Sequence, residues 1–250
     1  MLPSRLPQIA LLLILWLGSP AFARQAADRL VLMTQYEVKF QDEERFREYL
    51  DQRVQAATQA GLAPERGWVV LRADNVWLVL QPIPCLAAVG DGDFLATLVA
   101  GTPGEGVLGA ARARLAEVDF AAASRIISGP ASMRHSPAAA APANFAFVQE
   151  FRMIPGAERS SEEFVAFLRE INLPYRYESH LPVIGPQLVV GIVWPDDLGR
   201  YYRDFSPAVF AQRYAARYGP LSQRLRSRMR EVTTRLYSVQ HAYSYPAIPH

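Results

Sequence analysis

The chain has 250 residues, half of them hydrophobic, with a formal net charge of +2 from 26 basic and 24 acidic side chains. That length suits one sizeable domain or two small ones, with no difficulty in burying a core. Near-neutral charge argues against a polyanionic partner such as nucleic acid, and a single cysteine, Cys85, excludes any disulfide within the chain.

Residues 1–23, MLPSRLPQIALLLILWLGSPAFA, read as an export leader. Arg5 supplies a positive start, residues 9–17 form a short apolar core, and Ala21-Phe22-Ala23 matches a small-x-small cleavage site. The run is short for an uncleaved membrane anchor, the competing reading. The expected mature chain therefore begins at Arg24 and is periplasmic or secreted.

The first structured stretch alternates Leu32, Thr34, Tyr36 and Val38 with Met33, Gln35, Glu37 and Lys39, the period of a strand. An acidic first turn at 42–44 then opens a helix striped with Phe46, Tyr49, Leu50, Val54 and Ala57, and Gly61 stops it. GWVVLRADNVWLVLQ, 67–81, predicts two strands around an Asp74-Asn75 hairpin turn. Cys85 follows among prolines and apolar residues, without the positive neighbourhood of a reactive thiolate, and is expected to be buried and inert. GDGD at 90–93 lacks the remaining ligands of a calcium loop and reads as a turn. A helix over 107–118 and a strand within 124–137 complete this segment.

After an Ala/Pro linker at 138–143 the plan repeats. At an offset of 115, Phe147, Gln149, Phe151 and Met153 take the places of the first alternating set. Ser160 and Glu163 suggest a capping box for a helix striped with Phe164, Phe167, Leu168 and Ile171, ending before Pro174. YRYESHLPVIGPQLVVGIVW, 175–194, predicts two more strands with a longer turn at Gly185-Pro186. A helical region over 207–230 and a strand over 233–246 close the copy. The order β-α-β-β-α-β, written twice, predicts an α+β protein of tandem ferredoxin-like repeats, 24–137 and 144–250. Each sheet would carry helices on one face and leave the other to be covered by its twin.

This element order resembles the dimeric α/β-barrel superfamily, which includes antibiotic-biosynthesis-monooxygenase, stress-responsive-barrel and NIPSNAP-like proteins, here with both halves fused. The resemblance implies two antiparallel sheets packed face to face as a pseudo-dimeric barrel. It also implies oxidation of bound aromatics without a metal as one activity open to the fold.

The cleft between the sheets is the expected ligand site. Leu32, Tyr36, Val38, Phe147, Phe151 and Met153 are assigned to the helix side. Met33, Gln35 and Glu37, with Val148, Glu150 and Arg152, then face the cleft. Glu150 and Arg152 read either as a surface ion pair or as a cleft pair. On the last strand Tyr237, Val239, His241, Tyr243 and Tyr245 share a face, and His180 stands near Tyr175, Tyr177 and Glu178. His241 is either a structural histidine or a base or haem ligand. Candidate ligand-binding residues are thus Gln35, Glu37, Glu150, Arg152, His180, Tyr237, His241 and Tyr243. Phe210, Tyr214 and Tyr218 read as core. Arg224, Arg226, Arg228 and Arg230 form either a solvated helix face or a contact for an anionic membrane surface or acidic protein. No metal-ligand spacing, GxSxG, GxGxxG or P-loop appears, so no metal or cofactor is expected. The expected role is non-catalytic binding of a small apolar or aromatic ligand or a partner protein. The alternatives are an oxygenase or haem-handling enzyme, through His241 or His180 with Glu150 and Arg152, and an envelope interaction module.

Overall fold

The computed structural model describes residues 29–89, 93–137, 142–183 and 188–246. The leader, residues 90–92 of the GDGD stretch, residues 138–141 of the linker, the Gly185-Pro186 turn and His250 lie outside the described residues.

The first half runs β1 (Arg29–Val38), α1 (Glu43–Gln59), β2 (Val69–Ala73), β3 (Val76–Ile83), α2 (Phe94–Val99), α3 (Gly104–Leu115), β4 (Phe120–Gly129) and a two-residue β5 (Arg134–His135). The second runs β6 (Phe145–Met153), α4 (Ser161–Glu170), β7 (Arg176–Pro182), β8 (Leu188–Trp194), α5 (Leu198–Phe205), α6 (Pro207–Arg213), α7 (Ala215–Ser227) and β9 (Met229–Val239). Both halves show the expected strand-helix-strand-strand-helix-strand order. The turns follow local chemistry: Asp74 takes the left-handed conformation of the predicted hairpin, and Gly61 takes it just after α1.

Each half forms a four-stranded antiparallel sheet, ordered β4-β1-β3-β2 and β9-β6-β8-β7. The expectation of two sheets stacked face to face is corrected. β2 pairs with β9 through Leu71↔Val239 and Arg72↔Ser238, and β4 pairs with β7 through Ile127↔Pro182 and Ser128↔Leu181. All eight strands therefore close into one antiparallel barrel. Free sheet edges carry unpaired N–H and C=O groups, and closure satisfies them, which stacking would not. Backbone bonds from Gln240 N to Val70 O and from Val183 N to Ile126 O extend the two seams.

The pleat assigns faces as the alternation predicted. Met33 and Val148 point into the barrel with Leu71, Leu78, Ile127, Ile192 and Tyr237, an interior drawn from both halves. Tyr36, Val38, Trp77 and Val79 face α1 and α3 in one core, and Phe147, Tyr177 and Val193 face α4 and the later helices in another.

Several local expectations are overturned. Cys85 is exposed: β3 ends at Ile83, and Cys85 lies two residues beyond it, next to the exposed Pro84. The capping box at Ser160 does not form: Ser160 keeps helical angles, its hydroxyl accepts from Arg228, and Glu163 pairs with Arg224 and Arg228. The helical region at 207–230 is broken at Tyr214 and gives way to β9 at Met229, and α2 and α5 carry too few periods to be read in advance. Among the described residues, no helix is long and apolar enough to cross a membrane.

Candidate functional site

Two cavities flank strand β7. Its residues alternate by the pleat, so Arg176, Glu178 and His180 face the barrel while Tyr177 and Ser179 face the helices.

On the helix side, the sheet of the second half and helices α4 to α7 enclose a chamber of 170 Å³, near the size (about 150 Å³) at which an engineered apolar cavity takes up benzene. Phe151 and Tyr177 come from the sheet, Phe164 from α4, and Phe205, Phe210 and Tyr218 from the later helices. Phe164 stands edge-on to Tyr177, with centroids 5.4 Å apart, and Phe210 lies 5.7 Å from Tyr218. The two halves share one plan, yet among the described residues this chamber lies in the second half, and strand register explains why. Trp77 pairs with Tyr36 and Val79 with Thr34, whereas at the equivalent sites Val189 pairs with Phe151 and Gly191 with Gln149. In the first half the indole of Trp77 fills the space beneath α1, packing 5.4 Å from Phe46. In the second, Val189 and Gly191 leave it empty. A Cβ on Gly191 would lie 2.8 Å from the Tyr177 hydroxyl and 3.0 Å from Phe151, so glycine is required beneath these rings.

The chamber is apolar, with a few hydroxyls aimed at it. Burial pushes Tyr177 up to about 12, outweighing the hydrogen bond that its oxygen accepts from Ser179 at 3.0 Å. Tyr201 is likewise pushed up to about 12, first by burial and then by neighbouring tyrosines. Both stay protonated at neutral pH and so can donate a hydrogen bond. Gln149, Ser161 and Ser222 add polar atoms, and Arg226 stands at the edge. No histidine or carboxylate is among the lining residues.

Inside the barrel, a larger cavity of 650 Å³ opens where β1 and β6 begin. His180, Glu178, Arg176 and Arg29 line it beside Trp68 and Trp194, above an apolar floor of Val31, Leu80, Ile127 and Ile192.

The residues singled out from the sequence do not converge on one cavity. His180 lines the barrel cavity and is buried. Glu150 faces the interior but pairs with Arg125 at 2.9 Å, and Arg152 pairs with Glu231 at 3.3 Å, so the two do not pair with each other. Gln35 is half-buried, Glu37 is exposed, and neither lines the two cavities. Tyr237 packs into the barrel core. Because β9 ends at Val239, His241 and Tyr243 fall on a 3-10 turn: His241 is exposed, and Tyr243 packs against Trp77 on the helix side. His135 is structural, its Nε2 lying 2.6 Å from the Leu173 carbonyl oxygen. Of the arginines, Arg224 and Arg228 are tied to Glu163, Arg226 edges the chamber, and Arg230 lies on β9 rather than on a helix. Sequence reasoning placed Phe210 and Tyr218 in the core, and they are, but it missed that they also wall a chamber. The signal was the contrast of Trp77 and Val79 with Val189 and Gly191, which needs the register to be seen.

No family model matches the chain, and no curated protein sequence matches it. Solved structures do resemble it in fold. A candidate monooxygenase from Fusobacterium nucleatum superposes with a TM-score of 0.58 at 10% identity, covering 85% of this chain and 93% of that one. Another from Lactobacillus acidophilus gives 0.56 at 7% identity, covering 85% and 94%. The likeness spans both halves and establishes the ferredoxin-like α/β-barrel architecture.

Proposed function

We propose that the chain is an oxygenase-type enzyme acting on a small aromatic molecule held in the chamber between the second-half sheet and its helices. The observation that carries this reading is the chamber itself: aromatic walls, protonated tyrosine donors, and space that the first half fills with Trp77. The naming of both structural relatives as candidate monooxygenases supports it over non-catalytic binding. A quinol or similar electron-rich ring would stack among Phe151, Phe164 and Phe210, with an oxygen accepting from Tyr177. Dioxygen, itself apolar, partitions into such an apolar space. Haem fits poorly here: the 170 Å³ chamber is close to benzene-sized, and no histidine or cysteine lines it.

Oxygen uptake by the purified protein with a panel of quinols tests this. Wild type should consume oxygen above buffer, and Val189→Trp, copying Trp77, should abolish uptake by filling the chamber. Tyr177→Phe should lower it by up to about tenfold, the scale of one lost hydrogen bond. Chamber-dependent binding of quinols without uptake would select the non-catalytic role instead, which the lack of a lining acid or base favours. The leader would place either activity outside the cytoplasm; a mature N-terminus at Arg24 in an exported fraction is the expected result.

A further inference from the structure

We propose that the barrel cavity is a second, independent site, at which His180 takes a proton from a small aromatic compound bearing an acidic hydroxyl and the cavity holds the resulting anion. The imidazole Nε2 stands 3.5 Å from Glu178 Oε2, so the ring proton rests on Nε2 and the lone pair on Nδ1. That Nδ1 is buried and has no hydrogen-bond partner. Gly129 packs against it, and a Cβ there would lie 2.9 Å from Nδ1.

Donors for an anion converge on the same cavity. Trp194 Nε1 is buried without a hydrogen-bond partner, while Arg176 Nε lies 3.4 Å from Glu178 Oε1 and its guanidinium 4.6 Å from the Trp194 ring centroid. Buried polar atoms are ordinarily satisfied, and two unpartnered atoms on residues of one cavity, His180 Nδ1 and Trp194 Nε1, point to an absent polar guest. Arg29 stands at the rim with no carboxylate within ion-pair distance among the described residues. The charged groups facing the imidazole are Glu178 and Arg176 from β7 and Arg29 from β1, with Glu65 on the opposite wall. Burial raises the Glu178 carboxyl, but its bond to His180 and the charges of Arg176 and Arg29 prevail and hold it down at about 2. It is therefore ionised and positioned to stabilise an imidazolium. In the transfer the hydroxyl O–H bond breaks, its electron pair stays on oxygen, and an N–H bond forms at Nδ1. The apolar floor and Trp68 accommodate the ring.

The test uses the full chain and 4-nitrophenol, whose ionised form absorbs at longer wavelength than the neutral one. Bound to wild type below its own pKa, the probe should show a phenolate-to-phenol ratio at least about tenfold above that in buffer, the equivalent of one pKa unit. His180→Gln should return the ratio to the buffer value. Gly129→Ala, which crowds Nδ1 while keeping the imidazole, should weaken binding at least about tenfold. Val189→Trp, which fills only the chamber, should leave the ratio raised. The proposal falls if wild type leaves the ratio unchanged, if His180→Gln retains the rise, or if Val189→Trp abolishes it. Should His180→Gln not fold, Gly129→Ala decides: undiminished binding overturns the assignment.

Discussion

At the scale of single residues, Glu178 and Tyr177 are neighbours in sequence with opposite electrostatic fates. Tyr177 has burial with only one weak opposing bond, so its neutral form is held. Glu178 has burial too, but two arginines and an imidazole surround it, so its charged form is held. Because the folded carboxyl lies at about 2, below its ordinary 4.5, this group stabilises the fold above pH 4.5 and loses that contribution as the pH falls through 2. The difference corresponds to about 3 kcal/mol. Urea denaturation across pH 2 to 5 should therefore show a steeper loss of stability in wild type than in Glu178→Gln. Both reported groups stand on a hexapeptide, YRYESH at 175–180, that was visible as a cluster of polar and aromatic residues. That its alternate members serve two separate cavities depends on what packs against each face of the strand.

At the scale of elements, the arginines of α7 and its cap act within the molecule. Glu163 on α4 receives Arg224 at 3.2 Å and Arg228 at 3.0 Å, clamping two walls of the chamber together. This clamp is largely exposed, so Glu163→Gln should cost no more than about 1 kcal/mol in urea titration, and the difference should shrink in high salt. Of the arginines at 224, 226, 228 and 230, Arg226 and Arg230 have no carboxylate partner among the described residues, so any sedimentation with anionic vesicles should weaken most when these two are changed to glutamine. A larger effect is expected at the β2–β9 seam. A Cβ on Gly67 would come within 1.7 Å of the Tyr245 carbonyl oxygen, where Trp68 and Tyr245 exchange backbone bonds. Gly67→Ala should lower stability by about 2 kcal/mol or more, read as an earlier denaturation midpoint.

At the scale of the whole molecule, the barrel interior belongs to neither half. Val31, Met33, Leu78 and Leu80 from one meet Val148, Val190, Ile192 and Tyr237 from the other. Separated halves would expose that surface, so residues 29–137 and 142–246 expressed alone should fail to fold, and mixing them should restore the far-ultraviolet spectrum. The intact chain should unfold in one calorimetric transition.

Strand positions, helix stripes, the Asp74-Asn75 turn and the doubling of the plan were legible because periodicity is a local property: a pleat repeats every two residues and a helix every 3.6 whatever surrounds them. Which residues of β1 and β6 face the helices and which face the barrel followed from the same alternation. Tertiary structure alone decided that the sheets close edge to edge and that Glu150 meets Arg125 rather than Arg152. It also decided that His241 leaves the last strand, and that the second half is hollow where the first is full. These depend on pairing between residues far apart in the chain and on the volumes of side chains brought together by register, and no local pattern encodes either.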